Sequence, residues 1–174
     1  MNRRAKVISI ILHALFVIMV YIFQGMIFPY LRVYGMVPLL LPIACAGIAV
    51  YEGCHAGGIA GLFAGILCDA SFNEPVGVFM ILLTLSGLFI GALADTVLTR
   101  GFVSYMLACI GILVLSAFVQ IFPLIFFAGI PYRPLLTVAL WQTVYSLVFT
   151  IPLWLFVRSL GKRAQEAASR ERPL

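Results

Sequence analysis

Long uncharged, apolar stretches alternate along the chain with short segments that contain charges, glycine and proline. An α-helix needs about 20 apolar residues to cross the ~30 Å hydrocarbon core of a bilayer, and most of these stretches approach that length. The pattern therefore predicts about six membrane-spanning helices, at residues 7–28, 33–51, 56–71, 76–95, 102–128 and 135–157.

The stretch 33–68 is the least regular part of this pattern. Pro38, Pro42 and Gly53 lie within it and weaken a continuous helix. Non-helical backbone is tolerated at membrane depth where protein covers it. We therefore expect either two full spans here or one span with a re-entrant segment.

Composition supports a membrane protein and excludes several other classes. Of the 174 residues, 64% are hydrophobic and 10% are charged, against about 45–50% and about 25% in a soluble domain. So few charges exclude an ordinary soluble globule, a disordered regulator and a nucleic-acid-binding domain. We expect an all-α, polytopic membrane helix bundle, with a single transmembrane domain over 1–158 and a cytoplasmic basic tail over 159–174.

The basic residues predict the orientation of this bundle. With six spans and a cytoplasmic N-terminus, nine of the 11 Lys and Arg residues lie on the cytoplasmic side, and only Arg32 and Arg133 lie in outer turns. This distribution follows the positive-inside rule, so both termini are predicted to be cytoplasmic. The basic tail is expected to contact anionic membrane lipid.

The third predicted span carries a face of glycines. Gly57, Gly61, Gly65 and Asp69 are spaced by four residues, so they lie on one side of a helix. A face without side chains lets a second helix approach to backbone contact, and such contact holds membrane helices together. The spacing predicts close packing, either inside this protein or against the spanning helix of a partner.

The fourth predicted span repeats this pattern. Residues 61–69 align with 87–95 at six of nine positions, including Gly87, Gly91 and Asp95. The two spans run in opposite directions, as in an inverted repeat. The aligned segment is short, so the sequence favours convergent packing glycines over a repeat, and it places Asp69 near the outer surface and Asp95 near the inner one.

The polar residues predict packing and not catalysis. Two aspartates at opposite membrane surfaces cannot share a proton as a protease dyad does, and no serine lies in a GxSxG setting. No enzyme activity, cofactor or metal ion is predicted. We expect Asp69 either at a helix end among headgroups or in contact with Arg32 or Arg133, and Asp95 at a helix end. Gln24, Gln120 and Gln142 are expected to form interhelical hydrogen bonds.

Two predicted outer turns place proline, tyrosine and arginine together. One contains Tyr30 and Arg32, and the other contains Tyr132 and Arg133. Aromatic side chains are common at the membrane interface, where a long arginine side chain reaches toward water. The pattern favours an interfacial belt, and the alternative is an outer docking surface for a partner.

The central segment resembles the rod shape-determining protein MreD family. Bacterial members of that family have a similar length and a G-x-x-x-G-L-x-x-D segment followed by a P-x-G turn. The positions of this chain that match are Gly61, Gly65, Asp69, Pro75 and Gly77.

The resemblance implies a non-enzymatic component of the cell-elongation machinery in the bacterial plasma membrane. Its implied partners are an MreC-like bitopic protein, MreB filaments and peptidoglycan synthases. It also implies a fold similar to the substrate-binding subunit of energy-coupling-factor vitamin transporters, which is the alternative function. Those subunits carry an A-x-x-x-A arrangement on span one, whereas here Ile10 and Ile18 flank Ala14, so the sequence favours the scaffold.

Overall fold

Helices make up the part of the chain that the structure, a computed structural model, describes. It describes residues 3–27, 30, 37–72, 77–96, 101–126 and 132–159. Within these residues the fold is all-helical, as the sequence predicted. The helices are α1 Arg3–Met26, α2 Leu40–Glu52, α3 Cys54–Phe72, α4 Val78–Thr96, α5 Phe102–Phe126, α6 Tyr132–Val148 and α7 Thr150–Ser159.

Within the described residues, three helices are long and apolar enough to cross a membrane. They are the segments Cys54–Ser71, Val78–Thr96 and Phe102–Phe122. A fourth crossing results if Leu135–Val148 and Thr150–Ser159, which are bent by 43° at their junction, form one span. Two further apolar helices, Ile10–Met26 and Leu40–Glu52, are shorter. The chain is a membrane helix bundle, and the number of six crossings stays a prediction.

The short helix α2 forms the core of the bundle. It packs against α1, α3, α4 and α5, and every residue from Leu40 to Val50 is buried. Its 13 residues span about 20 Å at 1.5 Å per residue, less than the ~30 Å hydrocarbon layer. A helix that is apolar on all sides is typical of such a buried position.

The predicted span over 33–51 needs a correction at its beginning. Residues 37–39 are not helical, and α2 begins at Leu40. Proline disfavours helix in the residue before it and lacks an N–H, which explains why Pro38 precedes the helix. Pro42 lies in the first turn of α2. Backbone N–H groups in the first turn have no intrahelical acceptor, so proline breaks no helix hydrogen bond there. Residues 31–36 lie outside the described part of the chain.

Side chains from two other helices hold the beginning of α2. The Gln24 side-chain oxygen accepts hydrogen bonds from the backbone N–H groups of Leu40 at 3.0 Å and Leu41 at 3.2 Å. The Ser146 hydroxyl oxygen accepts one from Leu39 N–H at 2.9 Å. These bonds satisfy helix-terminal donors that are buried away from water.

One of the three glutamines forms the predicted bond between helices. Gln24 of α1 bonds to the first turn of α2 as described, whereas Gln142 Nε2 donates to the carbonyl oxygen of Val37, in the non-helical segment before α2, at 3.1 Å. Among the described residues Gln120 bonds within its own helix, where its Nε2 donates to the Ser116 carbonyl oxygen at 3.3 Å. Gln24 and Gln142 thus both serve the entry to α2, where unpaired backbone groups need partners.

The other end of α2 turns sharply into α3. Gly53 separates the two helices with φ +89°, a left-handed conformation that glycine adopts without steric cost. Beside this turn, His13 Nε2 lies 3.9 Å from Glu52 Oε1, and Trp154 Nε1 donates to the Tyr51 hydroxyl at 2.7 Å. Helices α1 and α7 are thereby joined to the end of α2.

Candidate functional site

The glycine faces of α3 and α4 meet along a common seam. A Cβ atom built on Gly57 would lie 2.6 Å from the Gly87 carbonyl oxygen, and one on Gly61 would overlap the Leu83 carbonyl. Real Cβ atoms do not approach other atoms so closely. The backbones are therefore in direct contact, which is the arrangement that glycine faces provide in membranes. The structure places this face against a helix of the same chain.

The seam extends over both helices. A Cβ on Gly65 would overlap the Cα of Met80, and a Cβ on Gly91 would lie 2.5 Å from the Cα of Cys54. The contacts therefore run from one end of the helix pair to the other, in antiparallel order. Continuous backbone contact of this kind maximises the dispersion attraction between the two helices. This matters because the hydrophobic effect does not drive helix association within lipid.

The contacts along the seam obey an approximate two-fold symmetry. The sequence alignment pairs each residue of α3 with the residue 26 positions later in α4. Replacing each residue by its aligned counterpart turns Gly57 into Leu83 and Gly87 into Gly61. The contact between Gly57 and Gly87 therefore has a counterpart between Leu83 and Gly61, which is observed. The same replacement applied to Gly65 and Met80 generates the contact between Gly91 and Cys54. The correspondence thus extends beyond the nine aligned residues to the packing itself.

Helix α2 covers this seam at its centre. The Cys45 thiol lies 3.9 Å from the Gly57 carbonyl oxygen and 3.7 Å from that of Leu83, two positions that the 26-residue relation pairs. The thiol is a weak donor on a small side chain. Cys45 is fully buried, so α2 reaches the backbone of both helices at this position.

Asp69 caps the helix that follows it. Its Oδ2 accepts hydrogen bonds from Gly77 N–H at 2.9 Å and Met80 N–H at 3.1 Å, and its Oδ1 accepts one from Phe79 N–H at 2.9 Å. The residue is only 8% exposed. A carboxylate is favoured there because the first N–H groups of a helix lack intrahelical partners and carry partial positive charge. Gly77, at φ +103°, makes the turn into α4.

Asp95 makes the related contact at the other end of the pair. Its Oδ2 accepts a hydrogen bond from Cys54 N–H at the beginning of α3, at 3.1 Å. In the alignment Asp69 corresponds to Asp95 and Met80 corresponds to Cys54. The bond between Asp95 and Cys54 is therefore the symmetry counterpart of the bond between Asp69 and Met80. Each helix therefore supplies an aspartate near its C-terminal end that caps the N-terminus of the other. Asp95 is exposed, whereas Asp69 is buried.

The contacts of Asp69 exclude one of the two arginine partners considered for it, Arg133. Asp69 is bonded to backbone amides, and within the described residues it makes no ion pair with Arg133. Helix α4 separates the two carboxylates, since the 16 residues from Phe79 to Asp95 rise about 24 Å. A shared-proton dyad is therefore impossible in this arrangement.

The remaining predicted residues are only partly described. Tyr30 is 90% exposed, and Arg133 is exposed in the first turn of α6. Tyr132 begins that helix, and its side chain lies outside the described part of the structure. Arg32 and Pro75 also lie outside the described residues.

Sequence reasoning missed several residues that hold the bundle together. Ser146, Tyr51 and Trp154 make the bonds described above, and the Cys45 thiol contacts the backbones of both α3 and α4. A signal existed for Ser146, since the non-helical backbone expected near Pro38 requires buried hydrogen-bond partners. The residues of this site therefore pack the helices together and cap their N-termini. The described residues contain no group of three or more His, Cys, Asp or Glu side chains that could hold a metal ion.

Comparison with known proteins identifies a family. Residues 2–164 match the family profile described as rod shape-determining protein MreD. Comparison with curated proteins and with solved structures gives no significant match. The profile covers nearly the whole chain, including the α3–α4 seam and both aspartates. This protein therefore belongs to the MreD family of rod shape-determining membrane proteins.

Proposed function

We propose that this chain is a non-enzymatic scaffold of the bacterial cell-elongation machinery. It lies in the plasma membrane with both termini in the cytoplasm and binds an MreC-like bitopic protein. Through that protein it helps to position MreB filaments and the peptidoglycan synthases. Family membership supports the shape-determining role, and the charge distribution supports the orientation.

The observation that carries the proposal is the filled interior of the bundle. Helix α2 occupies the centre with eleven consecutive buried residues, from Leu40 to Val50. The N–H groups at its beginning are bonded to Gln24 and Ser146, so they are not available to a ligand. The polar side chains of Gln24 and Ser146 thus serve the packing of the helices.

This interior favours a scaffold over the substrate-binding subunit of a vitamin transporter. A small-molecule site normally combines an apolar cavity with several convergent polar groups. The clefts that the described residues form lie between neighbouring helices, and their linings are almost entirely apolar. We therefore assign Gly57, Gly61, Gly65, Asp69 and Asp95 to internal packing and expect partners at other surfaces.

Copurification from native membranes tests the proposal. The tagged chain, extracted in mild detergent from its host, is expected to retain MreC, and depletion of the chain is expected to convert rods to round cells. A membrane protein of similar size from the same host serves as the control for nonspecific retention. Absence of MreC from the purified chain, or tight retention of a vitamin in its place, would contradict the scaffold.

A further inference from the structure

An apolar groove separates α4 from α5. The two helices are consecutive in the chain, yet they diverge and leave a cleft of about 780 Å³. Large side chains form its rims, among them Phe89, 65% exposed, and Phe118, 63% exposed. The groove contrasts with the α3–α4 seam, where the backbones touch.

Small residues of α5 are part of the lining of the groove. Gly111 and Ala108 line it, together with the buried side chains of Ile90 and Ile112. A Cβ atom built on Gly111 would meet no other atom within 4 Å. The backbone at Gly111 is therefore open to close approach from outside, unlike the backbone of the glycines in the seam.

A single polar side chain lines the groove. Ser86 of α4 is 8% exposed, and within the described part of the chain its hydroxyl has no hydrogen-bond partner. A buried hydroxyl without a partner is unfavourable, and such groups are normally satisfied. Lipid hydrocarbon offers neither donor nor acceptor, whereas a closely packed helix offers carbonyl oxygens and polar side chains.

We propose that this groove seats the single transmembrane helix of the bitopic partner. The occupant is an apolar helix with small residues on the face toward Gly111 and a hydrogen-bonding group level with Ser86. The α3–α4 seam already covers the glycine face of α3, and insertion of a helix from a second copy is an outcome that the test below distinguishes. The inference rests on the proposed function, since it names the surface that binds the MreC-like protein.

Two substitutions test the groove, with a matched control on α1. Gly111→Leu fills the groove, and Ser86→Ala removes the hydroxyl. Gly25→Leu is the control, because a Cβ on Gly25 also meets nothing within 4 Å and Gly25 lies on another helix. We expect Gly111→Leu to reduce the MreC copurified per folded scaffold by about tenfold or more, the size of effect typical of a central interface residue. Ser86→Ala is expected to reduce it by a smaller factor, and Gly25→Leu to leave it unchanged.

The outcomes separate the groove from the proposed function. If wild type retains MreC and Gly111→Leu retains it equally, the groove is not the binding surface, although the scaffold function stands. If wild type retains no MreC, the proposed function itself fails. Photo-crosslinkers at Leu107 and Phe118 keep the test decisive should Gly111→Leu misfold, with Ile11 of α1, 59% exposed, as the control position. Adducts to MreC from the groove alone support the proposal, and adducts to lipid or to a second copy overturn it.

Discussion

At the scale of single residues, the two aspartates show how position decides what a charge does in a membrane. A carboxylate in a spanning helix costs about 2.5–3.5 kcal/mol at the centre of the bilayer. Asp69 offsets this cost with three backbone N–H bonds at the beginning of α4. The spacing of these aspartates can be read along the chain, but their partners cannot, because a cap depends on where the neighbouring helix begins. Of the alternatives for Asp69, an ion pair with Arg133 is not formed among the described residues, and Arg32 lies outside them.

Replacing Asp69 tests this role. Asp69→Ala leaves three N–H groups in a buried site without acceptors, so we expect the free energy of unfolding in detergent to fall by about 3 kcal/mol. Denaturant titration followed by circular dichroism measures the loss. Asp95→Ala is the matched control, since Asp95 caps the other helix of the pair but is exposed, and about 1 kcal/mol is expected. Equal losses from the two substitutions would contradict the burial argument.

At the scale of helices, the sequence predicted α3 and α4 well and α2 poorly. Glycines at intervals of four marked the α3–α4 seam because close packing requires residues without side chains at those positions. Helix α2 gave no comparable signal, since a helix buried on all sides has no polar face to set its limits. Its beginning at Leu40 depends on Pro38 together with Gln24 and Ser146, which lie on distant helices. A pattern along one segment does not contain that information.

A single methyl group tests the seam. Gly61→Ala places a Cβ against the Leu83 backbone, which forces α3 and α4 apart, and we expect a loss of about 2 kcal/mol or more in the free energy of unfolding. Gly25→Ala, in open space on α1, is expected to be neutral or slightly stabilising, because alanine favours helix over glycine. Thermal unfolding of both variants in the same detergent measures the difference. A Gly61→Ala variant as stable as wild type would show that the helices do not touch there.

At the scale of the whole molecule, the protein combines a closed interior with large apolar outer surfaces. The interior is filled by α2, and the groove between α4 and α5 remains open. The proposed scaffold function requires this combination, because partners would bind from the side without entering the bundle. Composition predicted the membrane class, since 10% charged residues cannot cover a water-facing surface. It could not predict which surface stays open, because that depends on how far neighbouring helices diverge.

The account depends most on the claim that this bundle crosses the membrane an even number of times with its basic ends inside. Reporter fusions at residues 1 and 174, with an insertion at residues 73–76 between α3 and α4 as the control for the opposite side, measure this directly in living cells. We predict that both ends report from the cytoplasm and that the insertion at 73–76 reports from outside. Reporters that place the two ends on opposite sides of the membrane would contradict the account.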